Sequence, residues 1–119
     1  MTEEFLPRNI NTGDANLIVT PLAAATTVVP SGTSSVVIDS TNGVSTVQLP
    51  LAGEYGPGET ITLLNMIPGA TPIAAVAVSQ SGADVIVGFA ILDPVGPPIT
   101  LALTYVSNGN NTWTSLPTS

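Results

Sequence analysis

Turn punctuation constrains this chain more than any other feature. From Val36 to Trp113, short runs of Val, Ile, Thr and Leu are interrupted about every ten residues by Gly, Pro or Asn-Gly. That spacing suits an all-β sandwich, barrel or prism of short antiparallel strands and leaves little room for helix. Val36-Val-Ile-Asp-Ser-Thr and Val44-Ser-Thr-Val-Gln-Leu flank Asn42-Gly43. Asn-Gly is the favoured pair of a two-residue type I′ hairpin because both positions take positive φ. The two runs are therefore predicted to pair, with Thr41 facing Val44 and Asp39 facing Thr46. Pro50 ends that strand, and Gly53, Gly56, Pro57 and Gly58 make a loop into Thr60-Ile-Thr-Leu-Leu-Asn. Further strands are predicted over Ile73 to Ser79 and Val85 to Ile91, separated by the turn Gln80-Ser-Gly-Ala-Asp84, where Asp84 is placed to bond the turn backbone. The clearest alternation comes last. Ile99, Leu101, Leu103 and Tyr105 share one face and Thr100, Ala102 and Thr104 the other, which marks the first set as core or subunit interface. A second Asn-Gly, at Asn108-Gly109, precedes the single tryptophan, Trp113, and predicts a terminal hairpin whose indole seals the module.

Residues 1–30 differ from the rest. Three charges fall within the first eight positions, followed by Asn-Thr-Gly-Asp and an alanine-rich apolar run without alternation. This segment reads as an N-terminal arm or a first strand, with the β-module proper over residues 31–119. Within it, Phe5, Leu6 and Ile10 alternate with polar residues around Arg8, the pattern of an extended arm that becomes ordered against a partner. Ala23 to Ala25 supports a single helical turn at most, because Pro21 and Pro30 enclose it.

The charges exclude several functions. Glu3, Glu4, Asp14, Asp39, Glu54, Glu59, Asp84 and Asp93 stand against one base, Arg8, and Lys, His and Cys are absent, for a net charge of −7. Phosphate binding draws its affinity from Lys and Arg, so no nucleic-acid partner is expected, and an anionic membrane surface is disfavoured for the same reason. The uncharged stretches Ala15 to Ile38 and Thr60 to Ala83 are interrupted by Pro21, Pro30, Pro68 and Pro72 and diluted by Ser and Thr. They read as soluble β-structure rather than membrane spans, and the N-terminus shows no secretory signal pattern. A folded monomer of this size exposes about 6,000 Å², most of it neutral here, so further copies of the chain are expected to cover part of it.

Without His, Cys or Lys the chain lacks the usual general base, thiol nucleophile, Schiff-base amine and zinc ligands. Glu54 and Glu59 are the nearest pair of carboxylates for acid–base work, but carboxylates flanking a glycine-rich turn ordinarily just solvate it. Asp39 and Asp84 lack the spacing of a calcium loop. The expectation is a protein without catalytic residues, metal or cofactor.

The order from Leu49 onward is Leu-Pro, a glycine loop, Gly-Glu-Thr-Ile-Thr-Leu-Leu-Asn, Ala-Val-Ala-Val-Ser, Ala-Asp-Val-Ile-Val-Gly, Leu-Thr-Tyr and Gly-Asn-Asn-Thr-Trp. It resembles the small β-modules of tailed-phage virion proteins found in head-decoration proteins, head fibres and tail fibres. The resemblance implies a homotrimer whose glycines and aromatics serve packing. It points to a capsid decoration (cement) protein on the exterior of the virion head, stabilising contacts between major capsid protein subunits. Residues 1–48 lie outside the resemblance, and it is the alternation noted above that marks Phe5, Leu6, Arg8 and Ile10 as the capsid-binding arm. The alternative is a host-receptor or glycan-binding module of a fibre or spike, using Trp113, Tyr105 and Tyr55 as an aromatic platform.

Overall fold

A computed structural model describes residues 16–65, 74–94 and 99–117. Ten strands appear among them: β1 (Asn16–Val19), β2 (Thr26–Val28), β3 (Ser35–Ile38), β4 (Ser45–Gln48), β5 (Thr60–Leu64), β6 (Val76–Ser79), β7 (Val85–Val87), β8 (Ile91–Leu92), β9 (Ala102–Ser107) and β10 (Thr112–Pro117). They form two sheets, one ordered β1-β3-β5-β9-β10-β7 and the other β2-β4-β6-β8. The inward side chains of both, among them Val36, Ile38, Ile61 and Leu63 from the first and Val47, Val76 and Leu92 from the second, share one core. The molecule is a small all-β sandwich, as the punctuation predicts.

The strands do not follow one another as hairpins. β3 and β4 lie in different sheets, so the Asn42-Gly43 hairpin, with Thr41 facing Val44 and Asp39 facing Thr46, does not form. Instead β1 pairs parallel with β3 and β3 with β5, while β2 pairs parallel with β4 and β4 with β6. Three successive strand pairs, β1–β2, β3–β4 and β5–β6, are stacked, each giving its first strand to one sheet and its second to the other. A parallel neighbour needs a long crossover, and here the visit to the opposite sheet supplies it. Among the described residues, antiparallel pairing is confined to β5 with β9, β9 with β10, and β6 with β8, so both sheets are mixed rather than antiparallel.

The arches explain the difference. Gly43 N–H donates to the Ser40 carbonyl (3.1 Å) and Thr41 N–H to Asp39 Oδ1 (3.0 Å), an Asx-type bend. Only Gly43 of the Asn-Gly pair has positive φ (+124°), whereas a type I′ turn needs two such positions. The preceding arch lies against this one: Ala24 N–H donates to Val44 O (2.7 Å) and Thr46 N–H to Ala25 O (2.9 Å). A Cβ on Gly43 would stand 3.3 Å from the Ala23 Cβ, so the alanine run serves as a thin layer between arches, not as a helical turn.

Within residues 1–30, read from the sequence as an arm or a first strand, Asn16–Val19 and Thr26–Val28 form β1 and β2 of the sandwich. The arm residues Phe5, Leu6, Arg8 and Ile10 lie outside the described residues. In β9 the inward positions are Leu103, Tyr105 and Ser107, all buried. Ile99 precedes the strand and is 56% exposed, and Leu101 is half-buried, so the part of the predicted face that is buried within one copy begins at Leu103.

Candidate functional site

Every described carboxylate sits on a connection between strands. Asp39 follows β3, Glu54 and Glu59 occupy the loop before β5, Asp84 precedes β7 and Asp93 follows β8. The outward positions of both sheets carry only Val, Ile, Leu, Ala, Thr, Ser, Asn and Gln. In the six-stranded sheet, Ile18, Val37, Leu64 and Ala102 are aligned across four strands by register. Beside them the Thr62 and Thr104 hydroxyls meet at 3.1 Å. Both outer faces are thus charge-free pleated surfaces, with the charge collected around their margins.

The carboxylates are also occupied. Glu54 accepts from the Ser31 hydroxyl. Glu59 Oε1 accepts from Gly56 N–H (2.9 Å), which closes the glycine turn. Together with Gly32, Ser34, Tyr55, Gly58 and Thr60 they border an open cleft of about 460 Å³. Its one phenol is not poised to exchange a proton. Burial, with help from the Glu59 and Glu54 charges, raises the Tyr55 pKa above 10.0 against the lowering effect of backbone bonds at Gly32 and Thr33, and the hydroxyl donates to Thr33 O at 2.8 Å. Among the described residues, no three His, Cys, Asp or Glu side chains come together to hold a metal ion.

Asp84 acts differently from its predicted role. Instead of bonding its own turn, its Oδ2 accepts from Ala52 N–H at 2.7 Å, at the start of the 3₁₀ turn Ala52–Glu54. That connection is held from several sides. Trp113 Nε1 donates to Pro50 O (2.9 Å), Ser107 Oγ to Ala52 O (2.7 Å) and Ser81 Oγ to Leu49 O (2.7 Å). A loop that crosses the end of a core must find partners for its buried N–H and C=O groups, and here side chains from the β6–β7 connection, β9 and β10 supply them.

The three aromatics assigned to a glycan platform are all inside. Trp113 and Tyr105 are fully buried and Tyr55 nearly so. Tyr55 and Trp113 meet edge to face with centroids 5.1 Å apart, a favourable packing geometry. The Tyr105 hydroxyl donates to Phe89 O at 2.7 Å. The indole lies in the core, and an exposed platform built from these residues is ruled out. What sequence reasoning missed is that the neutral surface is gathered on two sheet faces and that, among the described residues, β1 and β7 are the outer strands of the larger sheet. The signal was there: between Glu59 and Asp84, and again between Asp93 and the end of the chain, no charged residue occurs.

No protein family matches the chain, and no curated protein is similar to it.

Proposed function

We propose that this chain is a capsid decoration (cement) protein of a tailed phage, which binds the outside of the head as a homotrimer and stabilises contacts between major capsid protein subunits. The observation that carries this reading is the separation of charge from surface: the described carboxylates sit on connections, while two broad sheet faces stay neutral. Such a surface suits extended contact with other protein chains rather than chemistry on a small substrate. The order of elements from Leu49 to Trp113 supports the same reading through its resemblance to virion β-modules. A net charge of −7 suits the outside of a shell, away from packaged DNA. A cement protein acts by linkage, since it binds the assembled lattice in preference to free subunits and so stabilises the assembled state.

The test is reconstitution. Purified protein added to heads lacking it should bind saturably and raise the temperature at which the heads release DNA. Removing residues 2–12 should abolish binding while the β-sandwich stays folded. Failure of the full-length protein to bind any head, together with retention on a glycan array, would replace this reading with the host-receptor one.

A further inference from the structure

The two outermost strands of the six-stranded sheet, β1 and β7, are each hydrogen-bonded on one side only among the described residues. Neither carries a charge or a proline within the strand, although β7 is only three residues long and is preceded at once by Asp84. Edge strands are ordinarily guarded by charge, proline, a bulge or extreme shortness. β1 reads Asn-Leu-Ile-Val and β7 reads Val-Ile-Val. By contrast β8, an edge of the smaller sheet, is two residues long and is followed at once by Asp93-Pro94.

Three features make β1 and β7 complementary. First, they run in the same direction. β1, β3 and β5 are mutually parallel, β9 is antiparallel to β5 and to β10, and β10 is parallel to β7. A neighbouring copy brought β7 to β1 therefore forms a parallel ladder, the pairing already used throughout the stack. Second, the inward side chains at both edges are under-covered. Leu17, Val19 and Ile86 pack against the core yet stay only partly buried, and an added strand from another copy covers them. Third, the outward side chains match. Ile18 is 73% exposed and Val85 and Val87 about half exposed, so joining the edges continues one neutral apolar face from copy to copy.

We infer that copies of this chain assemble head to tail, β7 of each adding to β1 of the next, and that three such joints close the trimer into a ring with a continuous sheet. The inference rests on the homotrimer in the proposed function and specifies its interface. It is a heterologous contact, so each copy uses two different edges.

The asymmetry gives a decisive experiment. Ile18→Lys spoils only the β1 edge and Val87→Lys only the β7 edge, and both side chains point away from the core. Each variant alone should sediment as a monomer with unchanged β-rich circular dichroism. An equimolar mixture should give a two-chain species, because one intact edge of each kind remains. Val28→Lys, on an outward position of the smaller sheet, should leave three chains together. Should a lysine variant unfold, cysteine pairs answer the same question, because the chain has no cysteine of its own. Ile18→Cys combined with Val85→Cys or Val87→Cys should yield covalently linked trimers on oxidation, and the single-cysteine variants should not.

A trimer that persists in either lysine variant, or a mixture that stays monomeric, overturns the head-to-tail interface while leaving the trimer itself standing. Cross-linking of single-cysteine copies to each other also overturns it, since that requires a symmetric contact. A wild-type monomer overturns both the interface and the trimer.

Discussion

Gly88 and Ala24 are opposite cases of backbone constraint. Gly88 has φ +101°, and a Cβ built on it would land on the Ser115 hydroxyl oxygen, the same oxygen that accepts from Phe89 N–H at 2.7 Å. Ala24 is the one described non-glycine residue with positive φ (+63°), in the tight turn where Ala25 N–H reaches Leu22 O (3.1 Å). Gly88→Ala should therefore cost about 3 kcal/mol, from steric overlap and strained backbone together. Ala24→Gly should be neutral or stabilising by up to about 1 kcal/mol, because the relief of left-handed strain outweighs the added freedom of the unfolded chain. Urea denaturation midpoints would show both signs, and a harmless Gly88→Ala would mean the β7–β8 crossing is looser than described. Tyrosine burial adds a pH dependence. Desolvation raises the Tyr105 pKa far above 10.0 and raises that of Tyr55 as well. A raised folded-state value means that this contribution is complete below pH 10 and is lost as pH rises from there towards the folded pKa. Stability should hold up to about pH 10 and then fall, by at most about 1.4 kcal/mol per pH unit for Tyr105. Tyrosinate absorbance should rise together with loss of β-structure, and Tyr105→Phe should flatten the decline. Titration of all the tyrosine in a still-folded protein would contradict the burial.

The same dipeptide does two jobs in this chain, and the contrast operates on strands rather than residues. At Asn108-Gly109 the flanking strands β9 and β10 pair antiparallel, and Asn108 Oδ1 accepts from the N–H groups of Asn110, Asn111 and Thr112 at 2.8 to 3.0 Å. At Asn42-Gly43 the flanking strands part into separate sheets, and the Asn42 side chain reaches only Pro21 O, at 3.4 Å. Asn108→Ala should thus cost about 1 to 2 kcal/mol, comparable to losing a helix cap, and Asn42→Ala less than about 0.5 kcal/mol. Equal costs at the two sites would argue that Asn42 also organises a reversal. This pair also marks how far sequence reasoning reaches. The dipeptide reports that the chain turns, and the alternation in Val36-Val-Ile and Val47-Gln-Leu reports which side chains face inward. Neither says whether the two strands meet edge to edge or face to face, since both arrangements bury the same residues. Leu103, Tyr105 and the hairpin to Trp113 were legible because pairing there is local. The bond from Asp84 to Ala52 N–H was not, because it joins positions 32 residues apart and depends on the stack being complete. Ile99 precedes β9 and is exposed in the single copy, so it is not a core position there, and alternation alone does not tell a core position from one covered by a second copy.

On the scale of the whole molecule, cover increases along the stack. Inward side chains are only half-buried in β1 (Leu17 and Val19), whereas those of β3 and β5 are fully buried. Among the described residues β1 has one neighbour, while β3 lies between β1 and β5, and β5 between β3 and β9. In stacked architectures each unit draws its stability from its neighbours, so an end unit with one neighbour opens at lower cost than an inner one. Hydrogen exchange on an isolated copy, such as a monomeric Val87→Lys variant, should consequently be fastest over Asn16–Val19 and Thr26–Val28 and slowest over β5 and β9, with β3 and β4 between. In the assembled ring, β1 gains a second neighbour but β2 does not. Protection should then rise selectively at Asn16–Val19 and Val85–Val87, while Thr26–Val28 changes little. This differential separates strand addition from contact through the sheet faces, since a face-to-face contact buries outward side chains without giving β1 and β7 new backbone partners. Equal protection of β1 and β5 in the isolated copy would contradict the graded stack. A rise spread evenly over the six-stranded sheet on assembly would move the interface from its edges to its outer face.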